Sequence, residues 1–234
     1  MPEPQCFAPL NLCAMRVAAL SSGGAPQPGA FGYRTDAIAT ASIGLEIEDG
    51  EEFTVKNGCG TIAQTVKQPS KVKGSTVTLE LTNFDPALLW LLIGNSRRIV
   101  DSGGAGSGEI IGWEAPLVSA AAGNGVCLEL WSKAWDSTVQ ATPAFAGGST
   151  AVYFHWVFPK VIFTLSDLPL QEDFTTTTVE GVGSENPNLT ANGPWNDWPS
   201  DVAGPGGFSG SVGFYYDSTI PTSVCGISTV PATS

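Results

Sequence analysis

The stretch TLELTNFDPALLWLLIG, residues 78–94, decides how the chain is read. Thr78-Leu79-Glu80-Leu81-Thr82 alternates polar and apolar, the two-residue period of a half-buried strand. Asn83 or Asp85 can then cap a helix, Pro86 suits its first position, and Gly94 suits a left-handed residue just past its end. Between these signals lies Ala87-Leu88-Leu89-Trp90-Leu91-Leu92-Ile93, with no polar face. Such a segment is far below the roughly 20 residues that span a bilayer. It is also too short to hold a helix on propensity alone. A helix apolar all round must be covered all round, by its own core or by a neighbouring subunit.

Working outward, the composition indicates an all-β protein with one short helix. The 234 residues include 28 glycines and 17 prolines, clustered between short alternating runs. Charged residues are 14% while apolar residues hold at 42%, so charge is scarce for the surface of a protein this long and assembly is one way to hide the remainder. Strands are expected at 109–116, 126–135, 152–163, 168–179 and 209–216, and one run, SIGLEIEDGEEFTV, sets Ile43, Leu45 and Ile47 against Glu46 and Glu48. Asp49-Gly50 signals either a tight turn or, with the acids that follow, a longer splayed hairpin. Residues 1–36 read as an irregular N-terminal arm, 37–234 as a single β domain, and 95–108 and 181–208 as long loops.

The net charge is −12, from 22 acids and 10 bases, and no Lys or Arg follows Lys160. That balance excludes gripping nucleic acid through its phosphates. Cys6, Cys13, Cys59, Cys127 and Cys225 are odd in number and scattered, with one histidine, His155. This favours free thiols over a zinc site or a disulfide framework. Nothing in the N-terminus reads as an export signal.

Catalytic motifs are weak. His155 lies within VYFHWVFPKVIF, where a packed core residue is the simpler reading than a base. GFSGS misplaces the second glycine of a serine nucleophile elbow. GGAGSG lacks the Lys-Ser/Thr of a phosphate loop. Trp195 and Trp198 in WNDW suit either stacking on a sugar or plugging an interface. No catalytic, cofactor-binding or metal-binding residue is assigned.

From EDGEEFTVKNGCGTI (48–62) through the opening stretch, the chain resembles the major tail, or tail tube, proteins of siphoviruses that infect actinobacteria. The shared order is an acidic-Gly turn, a Lys-Asn-x-Cys-Gly step and the leucine-rich helix after Asp-Pro. LCAMRVAALSSGGAPQPGA upstream and FPKVIFTLSDLPLQEDFTTTTVEGVGSENPN downstream are similar to the family's opening and to a later strand and loop. The resemblance implies a tail-tube β-sandwich whose hexameric rings stack into a tube that conducts DNA, with no enzymatic activity. It implies a virion protein assembled in the host cytoplasm around a tape-measure protein, with tail-terminator and distal tail proteins as further partners. DNA would pass through the lumen without specific binding. On that footing Glu46, Glu48, Glu51 and Glu80 are expected to face the lumen. Leu88, Leu89, Trp90, Leu92, Trp195 and Trp198 are expected at subunit interfaces, and Lys67, Lys71 and Lys73 between rings. The alternatives are a sugar-binding β-sandwich or another structural protein of the virion.

Overall fold

The computed structural model describes residues 7–26, 29, 31–102, 108–117, 119, 123–136, 153–168, 176–189, 192–199, 210–221 and 226–231. The fold is all-β with one short helix. Among the described residues, thirteen strands run β1 Phe7–Ala19, β2 Phe31–Thr35, β3 Ile38–Glu48, β4 Glu52–Lys56, β5 Ile62–Lys67, β6 Lys71–Leu81, β7 Arg97–Val100, β8 Ile110–Glu114, β9 Val126–Asp136, β10 Tyr153–Asp167, β11 Thr177–Ser184, β12 Gly213–Asp217 and β13 Gly226–Thr229. The helix α1, Pro86–Leu92, falls between β6 and β7. One antiparallel sheet has the order β13-β2-β1-β9-β10-β11-β6-β3, with β12 on the first half of β10. β4–β5 and β7–β8 are separate hairpins.

The helix answers to its sequence signals. Asp85 is the cap: its side chain accepts from the Ala87 backbone N–H at 2.7 Å, and Pro86 opens the first turn. The Tyr33 hydroxyl donates to the other Asp85 oxygen, tying the cap to β2. At the far end the Ser96 hydroxyl donates to the Ile93 carbonyl at 2.6 Å. Asn95, not Gly94, adopts the positive φ of 62°. Gly94 is required for another reason: a Cβ there would lie 2.5 Å from the Gly123 Cα.

The helix lies on one face of the sheet. Its Leu88, Leu91, Leu92 and Ile93 join Met15, Val17, Leu79, Leu81, Leu128, Leu130 and Phe158 in the main core. Its outer side is closed by the β7–β8 hairpin and β2, where the Arg98 guanidinium sits 4.8 Å from the Trp90 ring and 4.6 Å from Phe31. Phe31 meets Trp90 edge-on at 5.2 Å. The opposite face of the sheet carries a second core, Ala18, Cys127 and Val157 beneath Leu189, Trp195, Trp198 and Val230.

Four expectations change. The N-terminal arm is not irregular: Phe7–Ala19 is an interior strand paired along β9, and Val17 and Ala18 are fully buried, one on each face. Its apolar residues are small or interleaved with Asn11, Cys13 and Arg16, and two register shifts near Leu12 break the two-residue period that would have marked it. Residues 95–108 contain β7, and β11 extends to Ser184 inside the expected 181–208 loop. The expected 168–179 strand is displaced, since β10 runs on to Asp167 and β11 begins at Thr177. Cys6 and Cys225 lie outside the described residues; Cys13, Cys59 and Cys127 are free thiols.

Candidate functional site

The end of the sheet formed by β3 and β6 is built differently from the rest. A register shift between Ile38 and Thr40 turns Ile38 into the core with Leu81, then sets Thr40 opposite Glu80 on the other face. From there Ala41, Ile43, Leu45 and Ile47 share the face of Leu79 and Val77, as alternation demands. The face continues but the core does not. Exposure climbs from Ile43 at 36% to Leu45 at 58% and Ile47 at 61%, with Val72, opposite Ile47, also at 61%. β3 is moreover the terminal strand of the sheet order, so its outer edge of N–H and C=O groups has no strand partner among the described residues.

At the tip the β4–β5 hairpin is inserted between the two long strands. The splayed form of the Asp49-Gly50 turn is the one adopted. The Gln68 N–H donates to the Glu51 carbonyl at 2.9 Å, and Gly50 lies so close to the Gln68 carbonyl that a Cβ would sit 1.8 Å from its oxygen. Neither β4 nor β5 packs substantially on any other element. Phe53 and Val66 face each other across the hairpin, half exposed, with Val55 on the same side. A lone two-stranded hairpin is marginal in water. These side chains, like Leu45, Ile47 and Val72 on the strands that carry the hairpin, are left uncovered, and uncovered apolar side chains in one region mark an interaction surface.

The opposite face of the same strands is acidic. Glu46, Glu48 and Glu80 share it with Ser42, Thr76 and Thr78, so three of the four lumen candidates stand together. Glu51 sits at the hairpin junction, outside the strand pair. Glu180 on β11, opposite Thr78, belongs to the same face; no local signal marks it, because its partner Thr78 lies more than 100 residues upstream and only pairing brings them together. The lysines do not stand apart from these acids. Lys73 reaches Glu46 at 3.3 Å, Lys71 is opposite Glu48 and Lys67 opposite Glu52, all within one subunit. The lysines expected between rings thus face acids of their own subunit. The Lys73–Glu46 pair is exposed, which limits it to roughly 0–1 kcal/mol.

The side chains expected at subunit interfaces are mostly interior. Leu88, Leu89 and Leu92 are buried in their own core, and Trp90 is half-buried under Phe31 and Arg98. A single subunit therefore covers the apolar helix. Trp195 and Trp198 are buried in the second core. They present no ring for a sugar to stack on, and none to a neighbour.

Beneath those tryptophans lies a charged network. Arg16 is buried and donates through Nε to Glu129, which is fully buried, and through both terminal nitrogens to Asp197 at 2.6 and 2.9 Å. The Trp198 indole donates to the second Glu129 oxygen. Burial would lower the Arg16 pKa, but Glu129 and Asp197 outweigh it and raise the group above its ordinary value. His155 is packed in the core as expected, stacked on Trp131 at 3.9 Å, with Glu129 and Asp217 flanking its ring nitrogens at 3.8 and 3.4 Å. Burial would raise the Asp217 carboxyl, yet the adjoining His155 ring and hydrogen bonds from the Thr219 N–H and the Trp131 indole hold it down at about 2. A cleft of about 270 Å³ opens beside this network, lined by Arg16, Arg34, Asp197, Asp217 and Thr219 among others. The network's ties join β1, β9, β10 and β12 to the tryptophan segment, which is a structural task.

Among the described residues no helix is long and apolar enough to cross a membrane. No protein-family profile matches the sequence, and no curated protein sequence does either.

Proposed function

We propose that the protein is a structural, non-catalytic subunit of a bacteriophage tail, the repeating unit of a tail tube built from stacked and most simply hexameric rings. The observation that carries this reading is the β3–β6 end: an eleven-residue strand on the sheet edge with its apolar face running out into solvent, tipped by an apolar hairpin that the rest of the subunit leaves uncovered. Subunit-to-subunit pairing would satisfy the open edge and cover Leu45, Ile47 and Val72. On the reverse face Glu46, Glu48, Glu80 and Glu180 would look into the lumen and repel DNA phosphates. Screening over about 8 Å at physiological salt would keep that repulsion to the wall, leaving a wide channel open. Tape-measure, tail-terminator and distal tail proteins are the partners this reading requires. The sugar-binding alternative loses its support from Trp195 and Trp198, which lie in the core.

The test is negative-stain electron microscopy of the purified protein at rising concentration, beside size-exclusion chromatography. Hollow tubes or stacked rings are expected. A compact monomer at every concentration, unchanged by a tape-measure partner, would overturn the reading.

A further inference from the structure

Three Asn-Gly steps occur in the sequence, Asn57-Gly58, Asn124-Gly125 and Asn192-Gly193. Glycine offers its backbone nitrogen to the preceding asparagine side chain with no Cβ in the way, so all three are chemically prone to cyclise. The fold treats them unequally.

Gly193 is buried against the Trp198 ring, where a Cβ would come within 2.3 Å; the Asn192 carbonyl accepts from the Trp198 N–H at 3.1 Å and the Gly193 carbonyl from Asn196 at 3.3 Å. Gly125 is held at a φ of +84° against the Val161 carbonyl, and its own carbonyl accepts from the Leu20 N–H. At Asn192 the attacking peptide is held by its own carbonyl bond and by packing, and at Asn124 the glycine is packed against β10, whereas the Asn57 carbonyl accepts from the Gly60 N–H at 2.9 Å within an exposed turn. Asn57-Gly58 instead occupies the exposed tip of the β4–β5 hairpin, and beyond its two chain neighbours nothing lies within 4 Å of where a Gly58 Cβ would be. There the Asn57 side-chain oxygen already accepts from the Cys59 N–H at 3.1 Å and the Thr61 N–H at 2.9 Å. Two donors on that oxygen polarise the carboxamide carbon and are placed to stabilise negative charge developing on the oxygen.

We propose that Asn57 is a site of spontaneous deamidation selected by the fold. The Gly58 nitrogen loses its proton to a base from solvent and bonds to the Asn57 Cγ. The Asn57 Cγ–Nδ2 bond breaks and ammonia leaves, closing a succinimide. Water then adds to either ring carbonyl, reopening it as aspartate or as isoaspartate. Both products add one negative charge at the hairpin tip. Isoaspartate also lengthens the backbone inside the turn closed by the Asn57 N–H to Thr61 carbonyl bond. The chemistry stands whether or not the protein assembles.

The experiment is incubation of the full-length folded protein in mildly alkaline buffer, with peptide mapping by mass spectrometry over time. A parallel sample in urea removes the fold. In the folded protein Asn57 is expected to convert at least about tenfold faster than Asn124 and Asn192, because those two first require a local opening. In urea the three rates are expected to converge. Equal rates in the folded protein, or slower conversion at Asn57, would overturn the proposal, as would a spread of rates that persisted unchanged in urea.

Discussion

The middle of the sheet and its β3 end obey one alternation rule and reach opposite results. Around β1, β9 and β10 both faces are covered, by α1 on one side and the tryptophan segment on the other, and a charged network is sealed beneath the latter. Around β3 and β6 the acidic face is bare and the apolar face is uncovered toward the tip. An apolar stripe is thus a statement about what a strand needs, and whether its own subunit meets that need depends on which segment arrives above it. The covered middle supplies the stability of a single subunit. On the proposed reading, the open end is the surface on which a second copy would be stabilised.

The sharpest way to break this contrast is at the sealed network. Arg16→Met leaves Glu129 buried without its cation, so a loss of about 3–5 kcal/mol is expected by chemical denaturation, with little change in the β3–β6 end. Pairing it with Glu129→Leu should recover much of that loss, since an apolar pair replaces a charged one. Next comes the helix that closes the main core. Leu88→Ala should cost about 2–5 kcal/mol through the cavity it opens, in monomer and assembly alike. An equal loss only on assembly would mean that a neighbour, not its own sheet, covers the helix.

Asp217 has a smaller and pH-dependent effect. Its carboxyl is held at about 2, below the ordinary value of 3.8, so its contribution is full above 3.8 and is lost as pH falls toward 2. Asp217→Asn should therefore lower stability by roughly 1 kcal/mol at pH 7, solvent screening of the half-buried carboxylate reducing the full effect, and the gap to the native protein should close in acid. A pH-independent gap would point to lost packing. The smallest effect on the subunit is expected at the open end. Leu45→Ser with Ile47→Ser should shift monomer stability by no more than about 0.5 kcal/mol. The same pair should abolish rings and tubes in electron micrographs. Loss of the monomer fold by this double change would erase the distinction between the covered middle and the open end.

Much of the local structure was legible. Asp85-Pro86 announces the helix start, and the Ile43-Leu45-Ile47 against Glu46-Glu48 alternation announces β3 with its two faces. Other parts were not. β1 hides its strand character behind Asn11, Cys13 and two register shifts, although it lies in the middle of the sheet. Trp195 and Trp198 looked available because a Pro- and Gly-rich segment reads as surface loop, whereas their rings fill the second core over Ala18 and Cys127. Glu180 joins the acidic face only through β11–β6 pairing.

The sequence by itself determined the class of fold, the capped apolar helix, the alternating strands and the shortage of cations after Lys160, because each depends on residues near one another in sequence or on their sum. Only the tertiary structure decided which apolar surface is core and which is left open. It also placed Arg16 between Glu129 and Asp197, 113 and 181 residues away. Burial depends on what arrives from distant parts of the sequence, and no local pattern of side chains records that arrival.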